Sequence, residues 1–218
     1  MKPLYILVEG QTEEEFVKEV LRPYFAEKQI HEVTPIKIST KAGFKGGFVK
    51  YGHLKRDANN LLKQRSDILV SSFVDYFRIP NDVPNYEKCL EIHSIDNRIE
   101  CLENAIKNDV NNERFYPYIQ KHEFEAVLFS NNKGFDSYYD SKIGKQTAKI
   151  ISKYINPEEI NDSPQSSPSN RLKVIVPQYN KVLSGNIIAL EVGIENIIEK
   201  CPRFAQWIDI LVGLSTAH

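Results

Sequence analysis

The chain has 218 residues, of which 41% are hydrophobic and 26% are charged, and its formal net charge is −1. These are ordinary values for a globular protein with one well-buried domain. The near-zero charge excludes an overall basic surface of the kind that binds nucleic acid, although it leaves room for a local basic patch.

The cysteines and the apolar runs indicate a cellular compartment. Cys89, Cys101 and Cys201 are well separated and have no metal-ligand spacing, which favours reduced intracellular thiols over a disulfide framework or a zinc site. The sequence starts directly with a predicted strand, without a basic and then apolar leader. No apolar run approaches the roughly 18 residues of a spanning helix. We therefore expect a soluble cytoplasmic protein that does not contact a membrane.

Apolar periodicity predicts alternating strands and helices over the first two thirds of the chain. Strands are predicted over about 3–9, 31–39, 67–74 and 115–119, and helices over about 12–28, 48–65 and 94–111. The third strand is almost continuously apolar, which is typical of a strand that is buried on both faces. The alternation implies an α/β fold with a largely parallel central sheet and right-handed crossovers.

The composition changes near residue 161, where a stretch rich in serine, proline and asparagine predicts a loop. Beyond it, helices are predicted over about 169–182, 187–199 and 202–214. We expect residues 1–160 to form the α/β core and residues 161–218 to form a helical C-terminal extension packed on it, within a single domain overall.

Two glutamates stand at the junction of the first strand and the first helix. Glu9 ends the strand, and Glu13 lies at the centre of the helix's apolar stripe when residues are placed about 100° apart. A carboxylate on the sheet-facing side of a helix is costly unless it is exposed at the sheet edge, capped or metal-bound. An acidic residue in a first turn also complements the helix dipole, which is the alternative explanation for Glu13 and explains Glu14 and Glu15 without a function.

The same junction contains two further signals for a helix start. Gly10 is expected to let the backbone turn sharply after the strand. Thr12 and Glu15 have the spacing of a capping box, in which each side chain satisfies a backbone N–H at the helix N-terminus.

Acidic residues also follow two other predicted strands. The carboxyl ends of parallel strands meet at one edge of a sheet, so these side chains are expected to converge. Clustered carboxylates need cations, and oxygen ligands favour Mg²⁺ or Mn²⁺. Two such ions about 4 Å apart would support an in-line phosphoryl displacement. The three pairs are Glu9 with Glu13, Asp75 with Asp82, and Glu123 with Glu125.

Several candidates have an equally simple structural explanation. Asp82 is also typical of a turn before Val83 and Pro84. His122 is either a general base or, as we favour, a hydrogen-bonding residue at a helix start. Lys41 and Lys45 surround a glycine-rich loop that could contact phosphates, although a solvated loop explains them as well. This loop lacks the spacing of a P-loop, so it is not interpreted as an ATP site.

Five segments of the chain, taken together, carry a family resemblance. They are residues 8–16, 75–84, 118–126, 168–172 and 201–204. The first resembles the opening motif of the Toprim fold, which topoisomerases, bacterial primases and small ribonucleases share. The whole set resembles a bacterial Toprim-like family known only as a domain of unknown function. That family is related to the Toprim nuclease domains of overcoming-lysogenization-defect proteins.

The resemblance implies a Toprim-like three-layer fold and a Mg²⁺-dependent nuclease or nickase. Glu9, Glu13 and Asp75 would be its catalytic carboxylates, and Glu9, Asp75, Asp82, Glu123 and Glu125 its metal ligands. Lys181, in a recurring Tyr-x-Lys pattern, would stabilise the phosphate. Lys41, Lys45 and Arg171 would contact nucleic acid, DNA rather than RNA. An ATPase on another polypeptide is the implied partner in phage or plasmid defence, and a homo-oligomer is left open.

One departure from the Toprim pattern concerns the third acidic element. Classical Toprim domains have Asp-x-Asp there, whereas this chain has Asp75 followed by Tyr76 and Phe77. Either Asp82 replaces the second aspartate or only one metal binds strongly. The departure also keeps two other hypotheses open: a non-catalytic adaptor with the same fold, and a phosphatase or nucleotidyl-transfer enzyme that acts on small substrates.

Overall fold

A parallel β-sheet forms the centre of the computed structural model, which describes residues 1–41, 44–45, 48–161, 164–176 and 178–217. The side chains of residues 41, 44, 45 and 164 lie outside the described part. The described strands are β1 (Leu4–Val8), β2 (Val33–Lys37), β3 (Ser39–Lys41), β4 (Phe44–Lys45), β5 (Leu69–Asp75), β6 (Phe115–Tyr116) and β7 (Ile119–Gln120).

Helices occupy most of the remaining described residues. The α-helices are α1 (Gln11–Phe16), α2 (Arg22–Glu27), α3 (Tyr51–Gln64), α4 (Tyr86–Leu90), α5 (Ile95–Val110), α6 (Lys133–Tyr138), α7 (Ser141–Ile151), α8 (Pro168–Ile175), α9 (Lys181–Val192), α10 (Ile194–Lys200) and α11 (Pro202–Thr216). Shorter 3₁₀ segments cover Phe124–Ser130, Pro157–Glu159 and Pro164–Ser166. A π-helical turn, Val17–Leu21, joins α1 to α2 without a break.

The order of the strands places a topological switch point at the centre of the sheet. The order is β2-β1-β5-β6, β7 also pairs with β5, and every pairing in this sheet is parallel. The chain leaves β1 for β2 on one side and later returns to β5 on the other side of β1. In open α/β sheets, ligands bind at the carboxyl ends of strands where the order reverses in this way. Here that point lies between β1 and β5.

Alternating side chains of the strands feed two hydrophobic clusters, one on each face of the sheet. Ile6 of β1 and Phe73 of β5 face a cluster that includes Phe16 and the C-terminal helices. Leu7 and Val74 face the cluster formed with α3 and α5. All seven residues of β5 are buried, as the apolar run predicted. The predicted α/β class with a parallel central sheet and three layers is therefore confirmed.

Two predicted boundaries were wrong for reasons that involve proline. The fourth strand is interrupted at Pro117, which has no N–H to donate, and the Ser72 hydroxyl bridges the gap by bonding both the N–H and the carbonyl of Tyr118, at 3.0 and 3.1 Å. The helix predicted over 169–182 ends at Ile175. Val176 precedes a proline and is extended, as residues in that position prefer.

The capping-box prediction for the first helix was also wrong. The helix begins at Gln11 with Gly10 as its N-cap, no side chain caps it, and Thr12 is buried inside it. Gly10 has an extended backbone, φ −148°, rather than a sharp turn. Its function is spatial, because a Cβ there would lie 3.2 Å from Oε2 of Glu13.

The two neighbouring glutamates are half-buried and form ion pairs with lysines. Glu14 pairs with Lys18 at 3.0 Å and with Lys37 at 2.6 Å, and Glu15 pairs with Lys18 at 3.2 Å. Neither needs a functional explanation.

The cysteines depart from the expectation of three reduced thiols. Cys89 of α4 and Cys101 of α5 form a disulfide, whereas Cys201 is free and buried. The sequence separation of 12 residues gave no indication of this pairing, because the short connection between α4 and α5 is what brings the two helices together. Within the described residues, no helix has the length and apolar character needed to cross a membrane.

The C-terminal helices pack against the central sheet through aromatic side chains. The Trp207 ring of α11 stacks on Tyr118 with ring centres 4.5 Å apart and on Phe73 at 5.4 Å. Its indole N–H donates to the Ser71 hydroxyl of β5 at 2.9 Å. The predicted division at residue 160 stays a prediction, but these contacts tie α11 directly to the middle of β5.

We expect Trp207→Ala to lower the free energy of unfolding by about 3–5 kcal/mol, because it leaves a cavity beside β5 and removes the partner of Ser71. Urea unfolding followed by circular dichroism measures the change. Ile155→Ala, which alters a side chain that is 95% exposed, is the control and should shift stability by less than about 0.5 kcal/mol. A separate early transition that removes only part of the helical signal would show instead that the C-terminal helices unfold on their own.

Candidate functional site: an acidic cavity at the sheet edge

Carboxylates from three strand ends meet at the topological switch point. Glu9 directly follows β1, Asp75 is the last residue of β5, and Glu123 and Glu125 come shortly after β7. These four side chains line one cavity of about 310 Å³, which we call the acidic cavity. Glu13 reaches the same place from the first turn of α1 and is buried.

The ammonium group of Lys181 lies among these carboxylates. Its Nζ is 3.2 Å from Oε1 of Glu13, 3.4 Å from Oδ2 of Asp75 and 3.4 Å from Oε2 of Glu125. Lys181 is the first residue of α9. Its positive charge therefore lies beside the positive end of the helix dipole, which is unfavourable. The three carboxylates offset this unfavourable position.

Burial disfavours the ionised form of several of these carboxyl groups. It raises the pKa of Asp75 well above the usual value, an effect that Lys181 opposes and the carboxylates of Glu13, Glu9 and Glu125 reinforce. Burial likewise raises the pKa of Glu9, with Glu13 adding to the shift. Four carboxylates thus face one ammonium group, and the cavity favours additional positive charge.

The pKa values of the two remaining partners shift for related reasons. Burial raises the pKa of Glu125, and Lys181 opposes the shift. Burial alone would lower the pKa of Lys181, but Asp75, Glu125 and Glu13 outweigh it and raise this pKa far above its usual value. The surrounding carboxylates therefore favour the protonated form of Lys181.

Backbone and hydroxyl donors hold the carboxylates unequally. Oδ1 of Asp75 accepts from the backbone N–H of Phe124 at 2.8 Å. Both oxygens of Glu123 are occupied by Ser169, through its hydroxyl at 2.9 Å and its N–H at 3.0 Å, so Glu123 caps the start of α8. Oε2 of Glu125 is buried and has no hydrogen-bond partner among the described groups. Its charge is paired instead with the ammonium of Lys181, 3.4 Å away.

Several other predicted site residues lie elsewhere or outside the described part. Asp82 is exposed, does not line the acidic cavity, and accepts from the backbone N–H of Tyr51 at 2.9 Å at the start of α3. Arg171 donates to the Ser166 carbonyl at 2.6 Å and contacts the Tyr154 ring, which indicates a structural function. The side chains of Lys41 and Lys45 lie outside the described residues.

His122 lies beside the acidic cavity rather than in it. Its backbone is left-handed, φ 63°, and its Nδ1 lies 3.0 Å from the side-chain nitrogen of Asn161. Burial, with the nearby charge of Lys121, lowers the pKa of His122 to about 4, so the imidazole is neutral at pH 7. The contact of the ring is with Asn161 rather than with a helix start, and the role of His122 stays a prediction.

The structure adds cavity residues that sequence reasoning did not single out as site residues. Phe77 and Arg78 line the acidic cavity from the loop after β5, and Lys173 lines it from α8. Within the described part of the chain, Arg78 and Lys173 form no ion pair with a carboxylate. The left-handed backbone of Arg78, φ 65°, was the feature that a sequence pattern could not reveal.

The donor set of the acidic cavity consists mainly of carboxylate oxygens, which hard cations such as Mg²⁺ and Mn²⁺ prefer as ligands. As the described side chains stand, however, no three acidic, histidine or cysteine groups are arranged to hold a metal ion. The ammonium of Lys181 takes the central position instead. The oxygen donors are of the type that a divalent cation prefers, but in this arrangement their charge is paired with Lys181.

A comparison with known families identifies the chain. Residues 8–212 match the model described as Domain of unknown function (DUF4276). The chain belongs to this family. No curated protein matches it.

Solved structures of the C-terminal region of one protein are similar to this chain. Three structures of the C-terminal region of the OLD protein of Xanthomonas campestris pv. campestris have identities of 14%, 13% and 16% and TM-scores of 0.43, 0.41 and 0.43. The matches cover 96%, 95% and 99% of this chain and 95%, 97% and 98% of the other. TM-scores at this level are too low to assign an activity.

The raised pKa of Asp75 makes stability depend on pH. The folded protein binds the proton of the Asp75 carboxyl more tightly than the unfolded chain does. This carboxyl therefore lowers the free energy of unfolding as the pH rises above 3.8, the ordinary pKa of the group. In metal-free buffer, Asp75→Asn should therefore be more stable than the wild type by on the order of 1 kcal/mol at pH 8, and the gain should vanish near pH 4.

Denaturant unfolding in EDTA at several pH values measures this difference. Asp82→Asn makes the same chemical change at an exposed position and should show no comparable pH-dependent gain. A destabilised Asp75→Asn protein at pH 8 would mean that the ion pair with Lys181 outweighs the cost of burial.

Proposed function

We propose that this protein is a Mg²⁺- or Mn²⁺-dependent phosphodiester hydrolase, a nuclease or nickase, and that the acidic cavity is its active site. The observation that carries the proposal is the position of Lys181 within 3.2–3.4 Å of carboxylates from α1, β5 and the segment after β7. A group of carboxylates with one lysine at a switch point offers both cation ligands and a fixed positive charge for a phosphate.

The residues would divide the chemistry among them. A divalent cation, when bound, polarises a phosphoryl oxygen and activates water. Glu9, Asp75 and Glu125 would supply the carboxylate ligands of the cation. Glu13 would be the anionic partner beside Lys181. The ammonium of Lys181 would move from the carboxylates to the anionic phosphate, where it stabilises developing negative charge. Glu123 would orient α8 through Ser169.

The position of Asp82 bears on the number of cations. Asp82 accepts from Tyr51 at the start of α3, and Phe77 stands where the resemblance implies a second aspartate, so neither position adds a carboxylate to the acidic cavity. We therefore propose a single strongly bound cation. Arg78 and Lys173 supply the local positive charge that a nearly neutral chain needs to hold a nucleic acid backbone. DNA as the substrate and a separate ATPase as the partner stay predictions.

A second candidate is a non-catalytic adaptor with the same fold. The observation that favours it is the paired state of Lys181, because an ammonium group that neutralises the carboxylates can also be a purely structural charge. Metal binding and activity separate the two candidates.

We expect Glu9→Gln and Asp75→Asn to reduce metal-dependent nicking of plasmid DNA by at least about 100-fold, since each change keeps the shape but removes a charge that holds the cation. Gel assays with Mg²⁺ or Mn²⁺, on DNA and RNA, measure the loss. Glu15→Gln on the outer face of the same helix is the control and should leave activity unchanged. Equal nicking by wild type and Asp75→Asn would assign the cleavage to another site or to a contaminant.

Metal should raise the melting temperature, because a cation that binds only the folded protein stabilises it by mass action. Lys181→Met removes the ammonium that competes for the same carboxylates. We therefore expect this variant to be less stable than the wild type in EDTA, to show a larger metal-induced rise, and to have little activity. Differential scanning fluorimetry at millimolar Mg²⁺ or Mn²⁺ tests this expectation. An absent rise in both proteins would favour the adaptor candidate.

A further inference from the structure

A second cavity adjoins the acidic cavity and shares part of its wall. It has a volume of about 340 Å³, within the usual range of ligand pockets, and we call it the aromatic cavity. Phe77 and Arg78 line both cavities, so these two residues separate one from the other. Tyr76 and Tyr86 add further aromatic surface, and Asn161 lines the aromatic cavity with polar atoms.

The shared wall is held by backbone hydrogen bonds that leave its side chains free. The N–H of Phe77 donates to the His122 carbonyl at 2.9 Å, and the N–H of Ile79 donates to the Tyr76 carbonyl at 3.1 Å, which closes a turn. With Arg78 left-handed inside this turn, Phe77 is 42% exposed and the Arg78 guanidinium lies 5.3 Å from the centre of its ring. A fixed, exposed aromatic ring beside a guanidinium is a surface on which a flat ligand stacks.

The opposite side of the aromatic cavity is also fixed, and it offers an unused acceptor. Arg98 is anchored by the Ile92 carbonyl, at 3.1 and 2.8 Å, and by the Tyr76 hydroxyl at 3.2 Å. The side-chain nitrogen of Asn161 pairs with His122, whereas its oxygen is buried without a hydrogen-bond partner among the described groups. An unpaired buried acceptor is costly, and a ligand that donates an N–H would relieve this cost.

We propose that the aromatic cavity binds a nucleobase, stacked on Phe77, of the nucleotide whose phosphate lies at the acidic cavity. The inference rests on the proposed function, because it places a phosphate beside the carboxylates. Arg78 lines both cavities and is positioned to contact the backbone between base and phosphate. Bases combine a flat π-face with N–H donors, which matches a ring of aromatic residues with one free acceptor. The same surface would accept different bases, since stacking is tolerant of sequence.

Binding of deoxynucleoside monophosphates tests this inference without relying on cleavage. In Mg²⁺ buffer, saturation-transfer NMR with dAMP should show transfer to the base protons, and deoxyribose 5-phosphate, which lacks the base, should bind more weakly. Phe77→Ala should weaken dAMP binding by on the order of tenfold and leave binding of the sugar phosphate unchanged. Phe77→Trp should retain dAMP binding. Tyr138→Ala, which truncates another exposed aromatic, is the matched control.

The outcomes separate this inference from the proposed function. In one outcome, the wild type binds the base of dAMP but never nicks DNA, and Phe77→Ala loses the base contacts. This outcome would support the nucleobase site and count against catalysis. Metal-dependent nicking together with equal dAMP binding by wild type and Phe77→Ala would overturn the nucleobase site alone. Absence of dAMP binding at millimolar concentration would also overturn it. Saturation transfer to the base protons of dAMP could be as strong in Asp75→Asn as in the wild type. This result would show that the base binds independently of the acidic cavity.

Discussion

The burial of several like charges around Lys181 is the constraint on which the arrangement of this protein depends. Carboxylates that leave water and approach one another are costly, and here a single ammonium group holds Glu13, Asp75 and Glu125 within ion-pair distance. These groups come from the first helix, the central strand and the segment after β7. Removal of one partner from a buried ion pair leaves the other uncompensated, which is why α9 must dock where it does. Stability and chemistry therefore depend on the same contact.

Local patterns were sufficient to predict the central sheet and the orientation of its acidic residues. The apolar run of β5 and the helical stripe around Glu13 are short-range signals, and both held in the structure. The contact between Lys181 and Asp75 spans 106 residues and depends on how α9 packs against the sheet, which no local pattern encodes. The side chains of Asp82 and Arg171 bond the backbone N–H of Tyr51 and the carbonyl of Ser166, and their predicted site roles stay predictions. The disulfide likewise depends on how α4 packs against α5, whereas the break at Pro117 follows from a residue that has no N–H to donate.

The loop after β5 connects the chemistry of the two cavities. Asp75 belongs to the acidic cavity, and two residues later Phe77 stands where the resemblance implied a second aspartate. Position 77 thus has an exposed aromatic ring in place of the implied carboxylate. Under the proposed function, the site would have one fewer carboxylate for a cation, and its neighbouring wall would gain a surface on which a flat ligand stacks. The departure from the expected motif would then change recognition as well as remove a ligand.

The π-helical turn at Val17–Leu21 has a consequence for how the first helical segment packs. A π-turn contains about one residue more than an α-turn, so the helix beyond it is rotated by about 100° relative to a regular continuation. This rotation lets Phe25 and Phe16 contact the same hydrophobic cluster although they belong to separate halves. The direction in which the side chains of α2 point is therefore set by the π-turn and not by the first turn of α1. Apolar side chains from both halves of this segment thereby reach the same cluster as Ile6 of β1.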